Sequence, residues 1–168
     1  GWGTSGTSSE KTAVLWLKFL LAACATAFCI GLGYLAANKY RCRRSFYSQL
    51  YDFNERYLSE LGYARKPLPQ FLKEYVYAGE FGRTIEAFSA REELPRHPFL
   101  SDAEQKEYAD YFAMLGKGDA QSQSAFFTSK RAALQQRKEE SEKEAKARGA
   151  LYLKLGLLAG LAFVILII

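Results

Sequence analysis

The sequence predicts an all-α protein with a small helical bundle between an N-terminal and a C-terminal membrane helix. Three observations support this. Two apolar runs lie towards the ends of the 168-residue chain, and apolar residues between them recur at helical spacing. No segment shows the sustained two-residue alternation of a half-buried strand. The predicted parts are a disordered tail or cloning remnant (1–13), a transmembrane helix (14–38), a cytoplasmic bundle (39–150) and a membrane segment (151–168).

The first apolar run, residues 19–37, contains no charged residue over 19 positions. As a helix it is about 28 Å long, close to the thickness of the hydrocarbon core of a bilayer. A cleavable secretory signal is the alternative, but its apolar core spans only about 7 to 15 residues. The arginine-rich sequence that follows also favours a stable membrane helix. The Gly-, Ser- and Thr-rich residues before the run predict disorder.

The second apolar run, residues 155–168, is shorter. Its 14 residues reach about 21 Å as a helix, and residues 151–154 extend it to about 27 Å. This segment can cross a bilayer provided that the Lys154 ammonium reaches the headgroups.

Basic residues flank both runs on the side of the central region. Because positive flanks stay in the cytoplasm, the centre of the chain is predicted to be cytoplasmic, with both termini across the membrane. The same side chains are candidates for binding anionic lipid. They account for the net charge of +5 without a nucleic-acid partner. The lipid candidates are Lys39, Arg41, Arg43 and Arg44.

Helical spacing of apolar residues predicts the first bundle helix over residues 41–61, ending near Gly62. Its apolar stripe is Phe46, Leu50, Phe53, Tyr57 and Leu61. A second helix is predicted to continue through Tyr75 and Val76 to Gly79. A third is predicted over about 83–93, before two prolines.

A capping box marks the fourth helix, because Ser101 is followed three residues later by Glu104. The fifth helix is predicted over residues 119–148, which contain neither proline nor glycine. Its first half is expected to bury Phe126, Phe127, Ala133 and Leu134. Its second half is polar nearly all round and is expected to be a solvated strut that runs into the closing membrane segment.

No catalytic or metal-binding motif is present in the sequence. It lacks the phosphate-binding G-x-x-x-x-G-K-[ST] pattern, a G-x-S-x-G elbow and a Cys/His pairing of catalytic type. The single histidine, His97, is flanked by prolines and is expected to be a loop residue without a metal. The three cysteines are not expected to form disulfides. We therefore expect a non-enzymatic protein without cofactor or small-molecule substrate.

Small residues recur four positions apart in both membrane runs. This spacing lets helix backbones approach closely and predicts helix–helix contact in the membrane. The residues concerned are Ala25, Cys29, Gly33 and Ala37 in the first run and Gly156 and Gly160 in the second.

Three sequence elements carry a resemblance to a known family. They are the GYARKPLPQFL element, the MLGKGDAQSQSAFF junction, and the long charged helix that leads into GALYLKLGLLAGLAFVILII. With the preceding membrane helix, the chain resembles the stage III sporulation protein AB family of endospore-forming bacteria. The resemblance covers about residues 15–168 and is carried most strongly by 67–69, 115–119 and 146–168.

The resemblance implies a bundle similar to the cytoplasmic domain of type II secretion F proteins. It also implies an adaptor in the mother-cell membrane around the forespore. The expected partners are a secretion-type ATPase, the AA component, and other components of the stage III sporulation complex. The faces that bind these partners and the oligomeric state stay open. The alternative is a membrane-bound regulatory protein that recognises anionic lipid through its basic juxtamembrane patch.

Overall fold

The computed structural model describes residues 2–63 and 66–167, and their side chains from Ser8 onwards. Five helices form within these ranges, and no strand does. They are α1 (Trp2–Gly62), α2 (Leu68–Glu74), α3 (Gly79–Ser89), α4 (Asp102–Met114) and α5 (Ala120–Ile167). The all-helical fold class is thus confirmed. Gly1 of the predicted tail, Ala64 and Arg65 of the first connection and Ile168 of the closing run lie outside the described residues.

The chain forms two compact units. We call residues 39–145 the helical bundle, and residues 2–38 with 146–167 the apolar hairpin. α1 and α5 contribute residues to both units.

α1 continues through two predicted boundaries, the one between the tail and the membrane helix and the one between the membrane helix and the first bundle helix. It includes the Gly/Ser/Thr-rich residues 2–13, which were predicted to be disordered. It also joins the apolar run to the first bundle helix without interruption. Helical hydrogen bonding propagates readily from an existing helix, and the sequence KYRCRRS contains no proline or glycine to stop it.

The bundle core consists mainly of aromatic side chains. Phe46 lies at its centre, with its ring centroid 5.5–5.7 Å from those of Tyr47, Phe81, Phe99 and Tyr108. Edge-on and tilted aromatic pairs of this kind add about 0.5–1.5 kcal/mol each beyond the burial of their area. The predicted apolar stripe of α1 lies in this core, with Leu61 at its partly buried margin.

The second predicted helix ends earlier than its apolar spacing indicates. α2 stops at Glu74, and Tyr75 has extended backbone angles (φ −120°, ψ 143°). Tyr75 can therefore stack on the Arg56 guanidinium, 3.8 Å from the ring centroid, while Tyr77 packs on Phe53. Gly79 begins α3 instead of ending α2, and α3 ends at Ser89.

α5 is a continuous helix into the closing apolar run, as expected, but its charged half is not solvated all round. Leu134, Ser141 and Ala145 are buried along one face. Phe127 is buried and Phe126 packs at the core margin, as predicted, whereas Ala133 is exposed. The reason is spacing: residues 134, 141 and 145 share one face of the helix, and Ala133 is turned away from it.

Candidate functional site

A buried ionic cluster joins three helices of the bundle. The Arg43 guanidinium of α1 lies 3.1 Å from the Glu104 carboxylate of α4 and 3.0 Å from the Glu144 carboxylate of α5. The Arg43 and Glu104 side chains are each only 11% exposed, whereas Glu144 is 39% exposed. Arg43 therefore has one enclosed partner and one partner open to water.

Glu104 is held by more groups than Arg43 alone. Its carboxylate accepts hydrogen bonds from the Tyr47 hydroxyl and, at 3.2 Å, from the Ser101 hydroxyl. The Ser101 oxygen also accepts from the Glu104 backbone N–H, which is the N-cap hydrogen bond of the predicted capping box. Burial by itself would raise the pKa of Glu104, but the Tyr47 hydrogen bond and the Arg43 charge outweigh it and lower that pKa.

Arg43 was predicted to contact anionic lipid, and its position corrects that prediction. Two carboxylates already bind its guanidinium, so the side chain is not available to a headgroup. Lys39 and Arg44 are exposed, and Arg41 is partly buried. The predicted basic patch thus loses one of its four members. Sequence reasoning could not find this, because Glu104 lies 61 residues from Arg43.

A groove of about 340 Å³ opens beside this cluster, between α4 and α5. Aromatic and aliphatic side chains, including Tyr108, Tyr111 and Leu134, line it. Arg137 on α5 reaches Glu107 on α4 at 3.3 Å. The groove thus combines an apolar lining with paired charges, a surface suited to side chains of another protein more than to a small polar substrate.

His97 takes part in an arrangement that resembles a catalytic triad. Its Nε2 lies 2.9 Å from the Thr84 hydroxyl, and its Nδ1 lies 3.2 Å from the Glu80 carboxylate. With the proton on Nδ1, the ring donates to the Glu80 carboxylate, while the Thr84 hydroxyl donates to the Glu80 backbone C=O at 3.0 Å. Thr84 is fully buried and His97 is 1% exposed, so in this structure a substrate has no access to the hydroxyl. His97 is a loop residue, as predicted, but one enclosed in the core.

The extended segment 75–78 exposes an apolar side chain that the spacing of apolar residues predicts to lie in a helix. Val76 is 99% exposed. The backbone beside it is fixed, because the Gln49 amide binds both the N–H (2.9 Å) and the C=O (3.0 Å) of Ala78. Nothing in the local pattern of residues indicates this contact, since Gln49 and Ala78 are 29 residues apart.

Small residues form the seam of the apolar hairpin. A Cβ atom added to Gly33 would lie 2.8 Å from the Tyr152 carbonyl oxygen, and one added to Gly156 would lie 3.1 Å from the Cys29 carbonyl oxygen. At Gly160 the nearest atom would be Thr26 Cγ2, at 2.8 Å. The structure thus brings Cys29, Gly33, Gly156 and Gly160 to one antiparallel contact.

Of the other small residues predicted for helix packing on α1, Ala25 is partly buried and Ala37 is buried. Ala22 is also buried on the hairpin and was not among the predicted residues. Ala22, Thr26, Gly33 and Ala37 recur at helical spacing. Ala22 lies three residues, or one helical turn, before Ala25, so extending the pattern of small residues by one turn would have found it.

The outer surface of the hairpin is apolar. α1 and α5 are each long and apolar enough to cross a membrane. Only 6% and 11% of their most apolar stretches are buried, unlike the core helix of a soluble protein. This surface is consistent with membrane association. Its large exposed residues include Trp16, Leu20, Phe28, Leu35, Leu158, Leu161, Ile165 and Leu166.

No group of three or more side chains suited to hold a metal ion occurs in the part of the chain that the structure describes. The described cysteines, Cys24, Cys29 and Cys42, are all free thiols.

Comparison with known proteins gives one match. A family model described as Stage III sporulation protein AB matches residues 86–168, from within α3 through α4 and α5. Neither the curated proteins nor the solved structures contained a match. The matched residues include Glu104 and Glu144 of the ionic cluster and both glycines of the α5 seam. Residues 86–168 are thus similar to the stage III sporulation protein AB family, and this similarity supports a sporulation-related protein.

Proposed function

We propose that the protein is a non-enzymatic, membrane-anchored adaptor of a sporulation channel complex. In this proposal the apolar hairpin spans the mother-cell membrane around the forespore, and the helical bundle is a type II secretion F-like domain in the cytoplasm. The bundle passes the action of a secretion-type ATPase, the AA component, to the membrane channel. The observation that carries the proposal is the family match, which runs from the bundle into the apolar seam.

The surfaces of the two units support this division of roles. The hairpin offers lipid an apolar exterior around a closely packed seam. Among the described residues, no buried side-chain nitrogen or oxygen lacks a hydrogen-bond partner. The bundle leaves a groove with an apolar lining and paired charges, and the exposed Val76, for protein contacts. The buried Thr84–His97–Glu80 arrangement offers no accessible nucleophile.

The predicted role as a lipid-recognising regulator has less support. It depended on a patch of four basic residues, of which Arg43 is occupied by Glu104 and Glu144.

Labelling of single cysteines tests the orientation. In a chain whose Cys24, Cys29 and Cys42 are replaced by alanine, Val76→Cys provides a fully exposed thiol on the bundle, and Thr12→Cys provides an exposed thiol before the first apolar run. In a bacterial plasma membrane, an impermeant maleimide should label Thr12→Cys in intact cells and Val76→Cys only after permeabilisation. The reverse pattern would contradict the proposed topology.

Co-purification tests the adaptor role. The full-length chain, extracted in detergent from sporulating cells, should retain the AA ATPase. Replacing residues 151–168 by an unrelated membrane helix should abolish assembly into the complex while keeping the chain in the membrane. Recovery of anionic lipid but no ATPase would favour the regulatory alternative.

A further inference from the structure

Lys154 is a single cation within an apolar segment, and the contacts of the seam fix its level. Gly33 lies opposite Tyr152, Cys29 opposite Gly156 and Thr26 opposite Gly160. The two helices are therefore antiparallel, with a register that is constant to within one residue. In an antiparallel pair, a step forward on one helix matches a step backward on the other. Lys154 comes two residues after Tyr152 on α5, and its level on α1 is therefore two residues before Gly33. Lys154 thus lies at the level of Gly31.

This level is inside the apolar run of α1. Gly31 precedes the end of that run, Ala37, by six residues, or about 9 Å along the helix. The Lys154 side chain is exposed, and no hydrogen bond or ion pair is recorded for it among the described residues. A lone ammonium at such a depth costs free energy unless an anionic group or water reaches it.

The protein itself cannot supply that anion in the membrane. Residues 11–51 and 145–168 contain no Asp or Glu, so neither this hairpin nor the hairpin of a second copy offers a carboxylate at this level. An anionic partner of Lys154 at this level therefore comes from lipid or from a different protein.

The direction of the side chain favours lipid. Side chains of an α-helix lean towards its N-terminus, and from Lys154 this direction leads to Arg148 and Lys146, the basic end of the hairpin. A lysine stem of about 6 Å covers most of the distance to the interface by snorkelling. Local thinning of the bilayer can bring a lipid phosphate a few ångströms deeper, where it contacts the Lys154 ammonium.

We infer that Lys154 binds the phosphate of an anionic phospholipid in the leaflet at the basic end of the hairpin, so that lipid composition contributes to holding the hairpin at its depth. This inference rests on the transmembrane insertion in the proposed function.

The test is lipid retention by the full-length protein. Wild-type protein is purified from membranes that contain phosphatidylglycerol and phosphatidylcholine, and native mass spectrometry counts the lipids that stay bound. The wild type should retain phosphatidylglycerol preferentially. Lys154→Gln should reduce that preference about fivefold, the effect expected for one lysine beside anionic lipid, and Lys154→Arg should keep it.

Lys138→Gln is the matched control, because it removes the same charge from the same helix about 24 Å away. It should leave the preference unchanged. Equal retention by wild type and Lys154→Gln would overturn the inference. So would loss of a partner membrane protein from Lys154→Gln with lipid retention intact, since Lys154 would then pair with a protein carboxylate.

Insertion is measured separately by alkaline carbonate extraction. Lys154→Gln makes the segment more apolar, so it should remain in the membrane. If carbonate extracts the wild-type chain, both the proposed function and this inference fail. If the wild type resists extraction and its lipid preference does not depend on Lys154, only the inference fails.

Discussion

Arg43 and Glu104 form an ion pair of 3.1 Å inside the bundle, with the Tyr47 hydroxyl donating to the same carboxylate oxygen. The pair joins α1 to α4, while the second arm of Arg43 reaches Glu144 on α5. Removing one partner of a buried pair leaves an uncompensated charge, whereas an exposed pair contributes little.

The two carboxylates of this cluster should therefore differ in their effect on stability. Glu104→Leu should lower the free energy of unfolding by about 3 kcal/mol, because Arg43 stays buried without its main partner. Glu144→Leu should cost about 0.5–1 kcal/mol, because that carboxylate is partly solvated. Denaturant unfolding of full-length protein in micelles, followed by circular dichroism, measures both. Equal losses would contradict the assignment of Glu104 as the main partner.

Glu104 should also make stability depend on pH in the acid range. Its pKa in the folded protein is lower than the ordinary value of 4.5, so the unfolded chain takes up the proton first. The contribution is present above about pH 4.5 and is lost as pH falls through the folded-state pKa. The free energy of unfolding is measured from about pH 6 to about pH 3, an interval centred on the ordinary carboxyl pKa. It should fall less steeply with decreasing pH in Glu104→Gln than in wild type.

His97 should add a second pH dependence at higher pH. Burial lowers its pKa, against the opposing attraction of Glu80. The neutral ring thus stabilises the fold fully above about pH 6.5, and this contribution is lost as pH falls through the folded-state pKa. Because the chain has one histidine, a single imidazole NMR signal reports the titration. A midpoint above 6.5 would refute the prediction. His97→Gln should remove this part of the pH dependence of the free energy of unfolding, whether or not the variant is less stable than wild type.

Gly33 and Gly31 form a matched pair on α1. Gly33→Leu should weaken the hairpin by about 1–3 kcal/mol, since its Cβ atom would approach the Tyr152 carbonyl oxygen to 2.8 Å and backbone cannot move aside cheaply. A Cβ atom added at Gly31 would have no neighbour within 4 Å, so Gly31→Leu should have little effect. Thermal unfolding in detergent distinguishes the two. A similar change in midpoint for both variants would argue against the seam.

Arg91 is in the left-handed region of the backbone, with φ of 59°, directly after α3. A side chain in this conformation is unfavourable by about 1–2 kcal/mol, and glycine relieves it at some cost in chain entropy. Arg91→Gly should therefore raise stability by about 0.5 kcal/mol. Its neighbour Ala90 has φ of −81°, so Ala90→Gly should lower stability. Chemical denaturation of both variants gives the signs, and stabilisation by Ala90→Gly would show that the reasoning is wrong.

Local sequence determined the helical class, the two apolar runs, the N-terminus of α4 and the apolar stripe of α1. These features depend on the spacing of neighbouring residues, which one chain displays without reference to its fold. The small residues of the seam were also visible, because their period is that of a single helix. The apolar spacing misled where side-chain contacts override it, as at Tyr75, which leaves the helix to stack on Arg56.

Tertiary structure alone decided which polar groups meet. Arg43 is one of four similar cations in its stretch of sequence, and only the approach of α4 and α5 separates it from Lys39 and Arg44. The enclosure of His97 by Glu80 and Thr84 and the register that sets the level of Lys154 were decided in the same way. The physical reason is that Coulomb attraction and hydrogen bonding act over a few ångströms in space, a separation that the sequence does not encode.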